Sequence, residues 1–297
     1  MGKATATANY KLVHKVKDDK FDVDQLHHYN LHIAIGPRDL QLAVVDNETN
    51  RCLLMEDYIL ASVSSYQDLQ SLLKTIFESH HLLTAGFWKK VRIAIKNNKF
   101  SLVPAPLFVK DALVDYLSLN SQVDPDKEKV LYYKHIHTDA ICVFAVHKVL
   151  YDWLEGLYPN AEVGFIHQSS ALIEGVINYG ENHRNDSMFV YIDRFKLHVV
   201  TLRDQQLEYY NQFVIKDFND YIKYIMLVLK GLHRDQKKSN VALWGYIGRE
   251  SAHFKEFHRY IQNLSFGDRP SYLKYGYVFD EIQDHQYFDL YSMHLCD

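Results

Sequence analysis

His135 and His137 stand two residues apart in a stretch that reads as a β-strand. Both imidazoles then point to one face, which is the geometry of two ligands on one metal ion. No Cys or Glu nearby at ligand spacing completes the set, and there is no His-Glu-x-x-His. The pairs His27-His28 and His80-His81 fall at element ends, where adjacent side chains diverge. The expectation for the 17 histidines is therefore the protein surface, with no metal site. Nucleophilic catalysis has as little support. Gly-x-Ser-x-Gly is absent, and Cys52, Cys142 and Cys296 sit in no catalytic motif. The phosphate-cradling patterns Gly-x-Gly-x-x-Gly and Walker A are missing too. Aromatic residues are plentiful: 22 tyrosines, with Tyr272, Tyr275, Tyr277, Tyr287 and Tyr291 clustered late beside Phe279 and Phe288. Most of the cluster reads as core or strand. The rest suits a partner groove or a homodimer face, because tyrosine joins a large apolar ring to a hydrogen-bonding hydroxyl. Mixed charge around it (Lys274 against Asp280, Glu281 and Asp284) argues against a nucleic-acid platform.

The elements that position these residues must come from an ordinary globular composition. The chain has 297 residues, 47% hydrophobic and 24% charged, enough for two moderate domains. A net charge of −4 gives no global field toward nucleic acid or anionic membrane. Three scattered cysteines suit free buried thiols in a reducing compartment. The longest apolar run, Ala140 to Val146, is far short of the roughly 20 residues that cross a bilayer. The polar, Lys-rich start up to Asp24 lacks the core of a secretory leader, and Ala6 stands where myristoylation requires Ser or Thr. The expectation is a soluble, cytoplasmic protein without a membrane partner.

The second half repeats the first. Leu31 to Ile35 and Leu40 to Val45 read as two strands around Gly36-Pro37-Arg38-Asp39. Met188 to Ile192 and Leu197 to Leu202 read the same way around Asp193-Arg194-Phe195-Lys196, 157 residues later and without a gap. Each half continues with a third strand (Cys52 to Met55, Leu207 to Tyr210), an amphipathic helix (Tyr66 to Ser79, Phe218 to Leu232) and a fourth strand (Val91 to Ile95, Val241 to Trp244). The expected organisation is a polar lead-in over 1–28, a first unit over 29–120, a middle ββαβα segment over 121–186 and a second unit over 187–297. The segments Ser121 to Lys129 and Gly180 to Asp186 read as linkers.

Two consecutive βββαβα units resemble the actin-like ATPase architecture of actin, Hsp70 and the sugar kinases. The resemblance implies an α/β fold of duplicated ribonuclease-H-like sheets in a bilobal arrangement, with nucleotide in the cleft. More closely, Phe100-Ser101-Leu102-Val103-Pro104, Leu107-Phe108 and the run from His285 to Cys296 are similar to domain-of-unknown-function family 3822, bacterial proteins with an actin-like ATPase fold. That family carries no established activity.

The wider superfamily implies an Asp-x-Gly at each phosphate hairpin, the Asp organising Mg²⁺ and water and the Gly admitting phosphate to backbone amides. Here Gly36 stands at the first Asp position, Pro37 removes an amide donor, and Arg38 is a cation where a metal-organising carboxylate is needed. At the second hairpin Asp193 keeps the acid, but Phe195 replaces the glycine and is expected to block close approach. The adenosine motif is half-kept as Gly245, with Gly248 added. If nucleotide or another anion binds, Gly36, Arg38, Asp193, Gly245 and Gly248 are the residues to hold it. The plain alternative is turn chemistry. A nuclease is excluded, since Leu31 to Ile35 offers no carboxylate. The expected function is a non-catalytic scaffold or interaction protein with degenerate nucleotide loops, no cofactor and an unidentified protein partner. The other reading is an ATP-dependent phosphotransferase or ATPase with an altered site built on Asp193 and Arg38.

Overall fold

A computed structural model describes residues 9–61, 63–183 and 186–296, and in it each half of the chain carries a sheet opened by an antiparallel hairpin. The first unit runs up to Lys134 and takes in Asp139–Gln168 and Tyr272–Phe279. The second holds His135–Thr138, Ser169–Ser271 and the chain from Asp280 onward.

In the first unit the elements are β1 (Tyr10–Lys17), β2 (Tyr29–Ile35), β3 (Asp39–Asp46), β4 (Arg51–Leu60), α1 (Tyr66–Ser79), α2 (His81–Thr84), β5 (Lys90–Ile95), β6 (Phe100–Pro104), α3 (Leu113–Ser118), β7 (Glu128–Lys134), β8 (Ala140–His147), α4 (Lys148–Leu157) and β9 (Glu162–His167). Six strands form one sheet in the order β1-β4-β3-β2-β5-β9. The pairs β2–β3, β3–β4 and β1–β4 are antiparallel, while β2–β5 and β5–β9 are parallel. All of β2 is buried, as its unbroken run Tyr-Asn-Leu-His-Ile-Ala-Ile demands of a central strand. Helix α1 starts where Ser65 accepts the Asp68 N–H, and buries the stripe Leu69, Leu73, Ile76 and Phe77. The remaining three strands form a separate sheet, β6-β8-β7, whose core of Val103, Leu117, Ile141, Val143 and Ala145 includes Leu117 of α3.

The second unit contains nearly all of α5 (Gln168–Asn182), then β10 (Asp186–Ile192), β11 (Lys196–Arg203), β12 (Gln206–Val214), α6 (Phe218–Gly231), β13 (Asn240–Gly245), α7 (Ala252–Tyr260), β14 (Asn263–Phe266) and α8 (Phe288–Ser292). Its sheet has the order β12-β11-β10-β13-β14, with β13 parallel to both β10 and β14. Ile225, Val228 and Leu229 of α6 join Met188, Val190, Ile192, Val241 and Leu243 in one core. The repeat is exact in register: Ile35 faces Leu40 and Ile95, and Ile192 faces Leu197 and Gly245.

Three sequence expectations need correction. The lead-in over 1–28 contains β1, whose pairing with β4 is reinforced where Lys15 reaches Glu56 at 2.8 Å. Its outward lysines disguised it, as lysines on an edge strand do; residues 1–8 lie outside the described residues. The first unit does not stop at 120, because β9 from the expected middle segment joins its sheet and β6 pairs with β8 instead. Helix α5 continues to Asn182, into the expected second linker, where residues 184 and 185 lie outside the described residues. The late aromatic cluster lies mostly in the core, as expected, with Phe279 and Phe288 buried. Tyr287 and Tyr291 are buried around α8, and Tyr277 is exposed. The three cysteines are buried and none is in a disulfide. Among the described residues no helix is long and apolar enough to cross a membrane.

Candidate functional site

The first hairpin closes with the Gly36 N–H donating to the Asp39 carbonyl at 2.9 Å, while the Lys96 N–H extends the β2–β5 ladder to the Ile35 carbonyl at 2.9 Å. These bonds bring the Asp39 and Lys96 side chains to the carboxyl ends of parallel strands β2 and β5. There Lys96 Nζ meets Asp39 Oδ2 at 2.5 Å, with Asp39 and Lys96 only 5% and 2% exposed. The carboxylate also covers Gly36: a Cβ built on that glycine would lie 2.2 Å from Asp39 Oδ1. The close approach that glycine permits is therefore taken by an oxygen anion of the chain itself. Arg38 is exposed at the tip, and its carbonyl accepts the Leu60 N–H at 2.8 Å.

The second hairpin has the same backbone and different side chains. The Asp193 N–H donates to the Lys196 carbonyl at 2.9 Å, and the Tyr246 N–H to the Ile192 carbonyl at 2.8 Å. Asp193 is buried and accepts the Arg194 N–H at 2.8 Å. Its charge is felt by two tyrosines. Burial above all, then the charge of Asp289 and lesser contributions including Asp193, raises the Tyr191 hydroxyl well above its ordinary value, and that hydroxyl donates to Asp289 Oδ1 at 2.5 Å. Burial, then Asp193, raises Tyr221. The Arg194 guanidinium lies 4.4 Å from the centre of the Tyr246 ring. Phe195 is 45% exposed at the tip.

Gly245 has φ +98°, and a Cβ there would sit 2.1 Å from the Ile192 carbonyl oxygen. This glycine is dictated by the neighbouring strand's backbone. Gly248 leads into α7, where its carbonyl accepts the Ser251 N–H at 3.1 Å and Ser251 caps the helix. Asp193 and Gly245 thus meet at the ends of β10 and β13, Gly248 follows three residues on, and Gly36 and Arg38 belong to the first unit. None of these five residues lines a cavity of about 750 Å³ bounded by Lys99, Asn120 and Asp124, where Lys99 is engaged by Glu128 at 2.7 Å.

His135, expected at the surface with no acid at ligand spacing, is buried against one. In the second unit, His135 Nδ1 lies 2.8 Å from Glu174 Oε1, and His137 Nδ1 lies 2.7 Å from Glu174 Oε2. The Ile136 N–H also donates to Oε1 at 2.8 Å. His135 and Glu174 are buried. Burial pushes Glu174 up, but the bonds from His135, His137 and the Ile136 amide outweigh it and hold the carboxyl below its ordinary value. The signal was a single glutamate inside the apolar run Ala171-Leu172-Ile173-Glu174-Gly175-Val176-Ile177, since a buried carboxylate must find partners. Among the described residues no group of three or more His, Cys, Asp or Glu is arranged to hold a metal ion.

The model of the family named Protein of unknown function (DUF3822) matches residues 18–264. A protein of Bacteroides thetaiotaomicron with an actin-like ATPase fold and unknown function superposes with a TM-score of 0.78 at 20% identity, over 93% of this chain and 99% of that one. PilM in the PilM–PilN type IV pilus biogenesis complex superposes with a TM-score of 0.59 at 13% identity, over 90% of this chain and 97% of that one. These likenesses show the actin-like ATPase fold. No curated protein matches the sequence.

Proposed function

The chain belongs to the DUF3822 family of proteins of unknown function, and we propose that it acts as a non-catalytic, protein-binding member of the actin-like ATPase fold. The observation that carries this reading is the Asp39 carboxylate seated over Gly36 and neutralised by Lys96. A phosphate arriving at that hairpin would meet a carboxylate where it needs amide donors, and Pro37 has already removed one of them. Phosphoryl transfer is catalysed almost entirely by positioning and charge stabilisation, so a hairpin whose open side is already filled and short of donors forfeits both. At the end of β13, beside the second hairpin, the close approach at Gly245 is taken by the Ile192 carbonyl, another acceptor. A fold neighbour that occurs in complex with a protein partner, PilN, supports a scaffold role for this architecture.

Thermal unfolding of the purified chain with saturating MgATP, MgADP or EDTA tests the proposal. A ligand at about 100 times its Kd adds roughly 2.7 kcal/mol, several degrees for a chain of this size. The reading predicts no shift with any of the three. A shift with MgATP that Asp193→Ala abolishes, together with phosphate release from ATP, would establish the ATP-dependent alternative.

A further inference from the structure

Phe108 is the inward residue of an extended stretch beside the three-stranded sheet of the first unit. Its φ and ψ are −80° and 125°, and those of Val109 are −124° and 121°. Successive side chains of extended backbone point to opposite sides. The Phe108 ring faces Tyr132 of β7 at 5.1 Å and Tyr116 of α3 at 6.0 Å. Its neighbours Leu107 and Val109 are turned out, 67% and 57% exposed. The strip is held rigid. Pro104 and Pro106 fix the backbone ahead of it. The Val109 N–H donates to the Tyr116 hydroxyl at 2.9 Å, and that hydroxyl donates to the Leu107 carbonyl at 2.6 Å. One tyrosine thus pins both exposed residues by their backbone. An apolar strip locked in water is arranged for contact, since a preorganised surface loses little freedom on binding.

The strip continues onto α3 and β7, where Val114 and Tyr132 are also exposed. Asp111 and Lys110 come three and four residues before Val114, the spacing of neighbours on a helical turn, and Asp115 comes four after Asp111. Lys134 lies two after Tyr132 on β7 and shares its face. These four charged residues are exposed, and none is ion-paired with another of the described residues. The patch therefore carries two cations and two anions around an apolar centre. A partner of one sign would be repelled by half of them. A second copy, turned about a two-fold axis, offers each cation an anion and each apolar side chain another. A patch confined to one loop, one short helix and one strand suits the low end of interface size, below about 1,200 Å² in total, where association is weak.

We infer that this patch docks a second copy of the chain in a weak two-fold dimer. Leu107, Val109 and Val114 of the two copies seat against one another, and Lys110 and Lys134 of each pair with Asp111 and Asp115 of the other. The apolar centre supplies affinity, and the charges fix the register. The inference goes beyond the reading above, because the dimer forms or fails whatever the hairpins bind.

Sedimentation velocity of the full-length chain from about 5 to 500 μM should show monomer passing into dimer, a range that brackets a weak, micromolar association. Leu107→Asp, at an exposed position, should raise the dissociation constant about tenfold or more. Two charge variants test the pairing. Lys110→Glu with Lys134→Glu makes the patch wholly acidic, and Asp111→Lys with Asp115→Lys makes it wholly basic. Each should stay monomeric alone, while an equimolar mixture of the two should dimerise at least as tightly as the unaltered chain. Should Leu107→Asp perturb the fold, the charge mixture still decides. A chain that is monomeric at every concentration would overturn the inference and leave the patch to a different protein. So would a dimer indifferent to Leu107→Asp, or charge variants that do not pair on mixing.

Discussion

Lys96 and Asp39, 57 residues apart in sequence, meet at 2.5 Å at the carboxyl ends of β5 and the β2–β3 turn. Both are buried. Their pairing gives the hairpin a buried anion of its own, held by a buried cation. Removing one partner takes from a buried charge its counter-ion at 2.5 Å. Lys96→Met should therefore cost on the order of 3–5 kcal/mol, while Asp39→Asn with Lys96→Met should recover most of it. Urea midpoints of the two single variants and the double variant measure the coupling.

Gly36→Ala tests whether the carboxylate really occupies the glycine's open side. The added methyl would meet Asp39 Oδ1, and overpacking of this kind costs about 1–3 kcal/mol. The same substitution in an Asp39→Ser background should cost much less. Equal cost in both backgrounds would place the carboxylate elsewhere.

Gly245→Ala should be more damaging than Gly36→Ala. Its obstacle is the Ile192 backbone carbonyl, which cannot swing aside, and its φ of +98° is strained for any L side chain. A loss on the order of 3 kcal/mol or more in chemical unfolding is expected.

Stability should fall in acid through Glu56. Burial raises its pKa, but bonds from His80, Lys15 and Tyr58 outweigh that and bring it to about 2, against an ordinary 4.5. A carboxyl depressed in the folded state contributes stability that is complete above the unfolded value and is lost as pH falls through the folded one. Unfolding midpoints should thus decline from about pH 5 toward pH 2, and Glu56→Gln should flatten that decline. Glu174 is shifted in the same direction and adds to the same limb.

Much of the fold was legible because it is written locally. Helix α1 spans Tyr66–Ser79, the range its apolar spacing predicts, since Ser65 supplies a cap and Leu69, Leu73 and Ile76 one face. The two hairpins were legible from their 157-residue repeat. What was hidden depends on distant pairing. β1 shows only Val16 to the core and reads as a polar lead-in until β4 is beside it. β6 follows β5 in sequence yet pairs with β8. At the site, glycine and acid positions could be read, but their meaning could not. Gly36 is needed for Asp39, Gly245 for Ile192, and Glu174 completes a histidine pair almost 40 residues away.

Isothermal titration of MgATP into the full-length chain tests the central claim most directly. A hairpin filled by the Asp39–Lys96 pair predicts no saturable heat, with any affinity weaker than about 1 mM. Saturable binding near one equivalent with a Kd below about 100 μM would contradict it, and would mean that the carboxylate leaves Gly36 when nucleotide arrives.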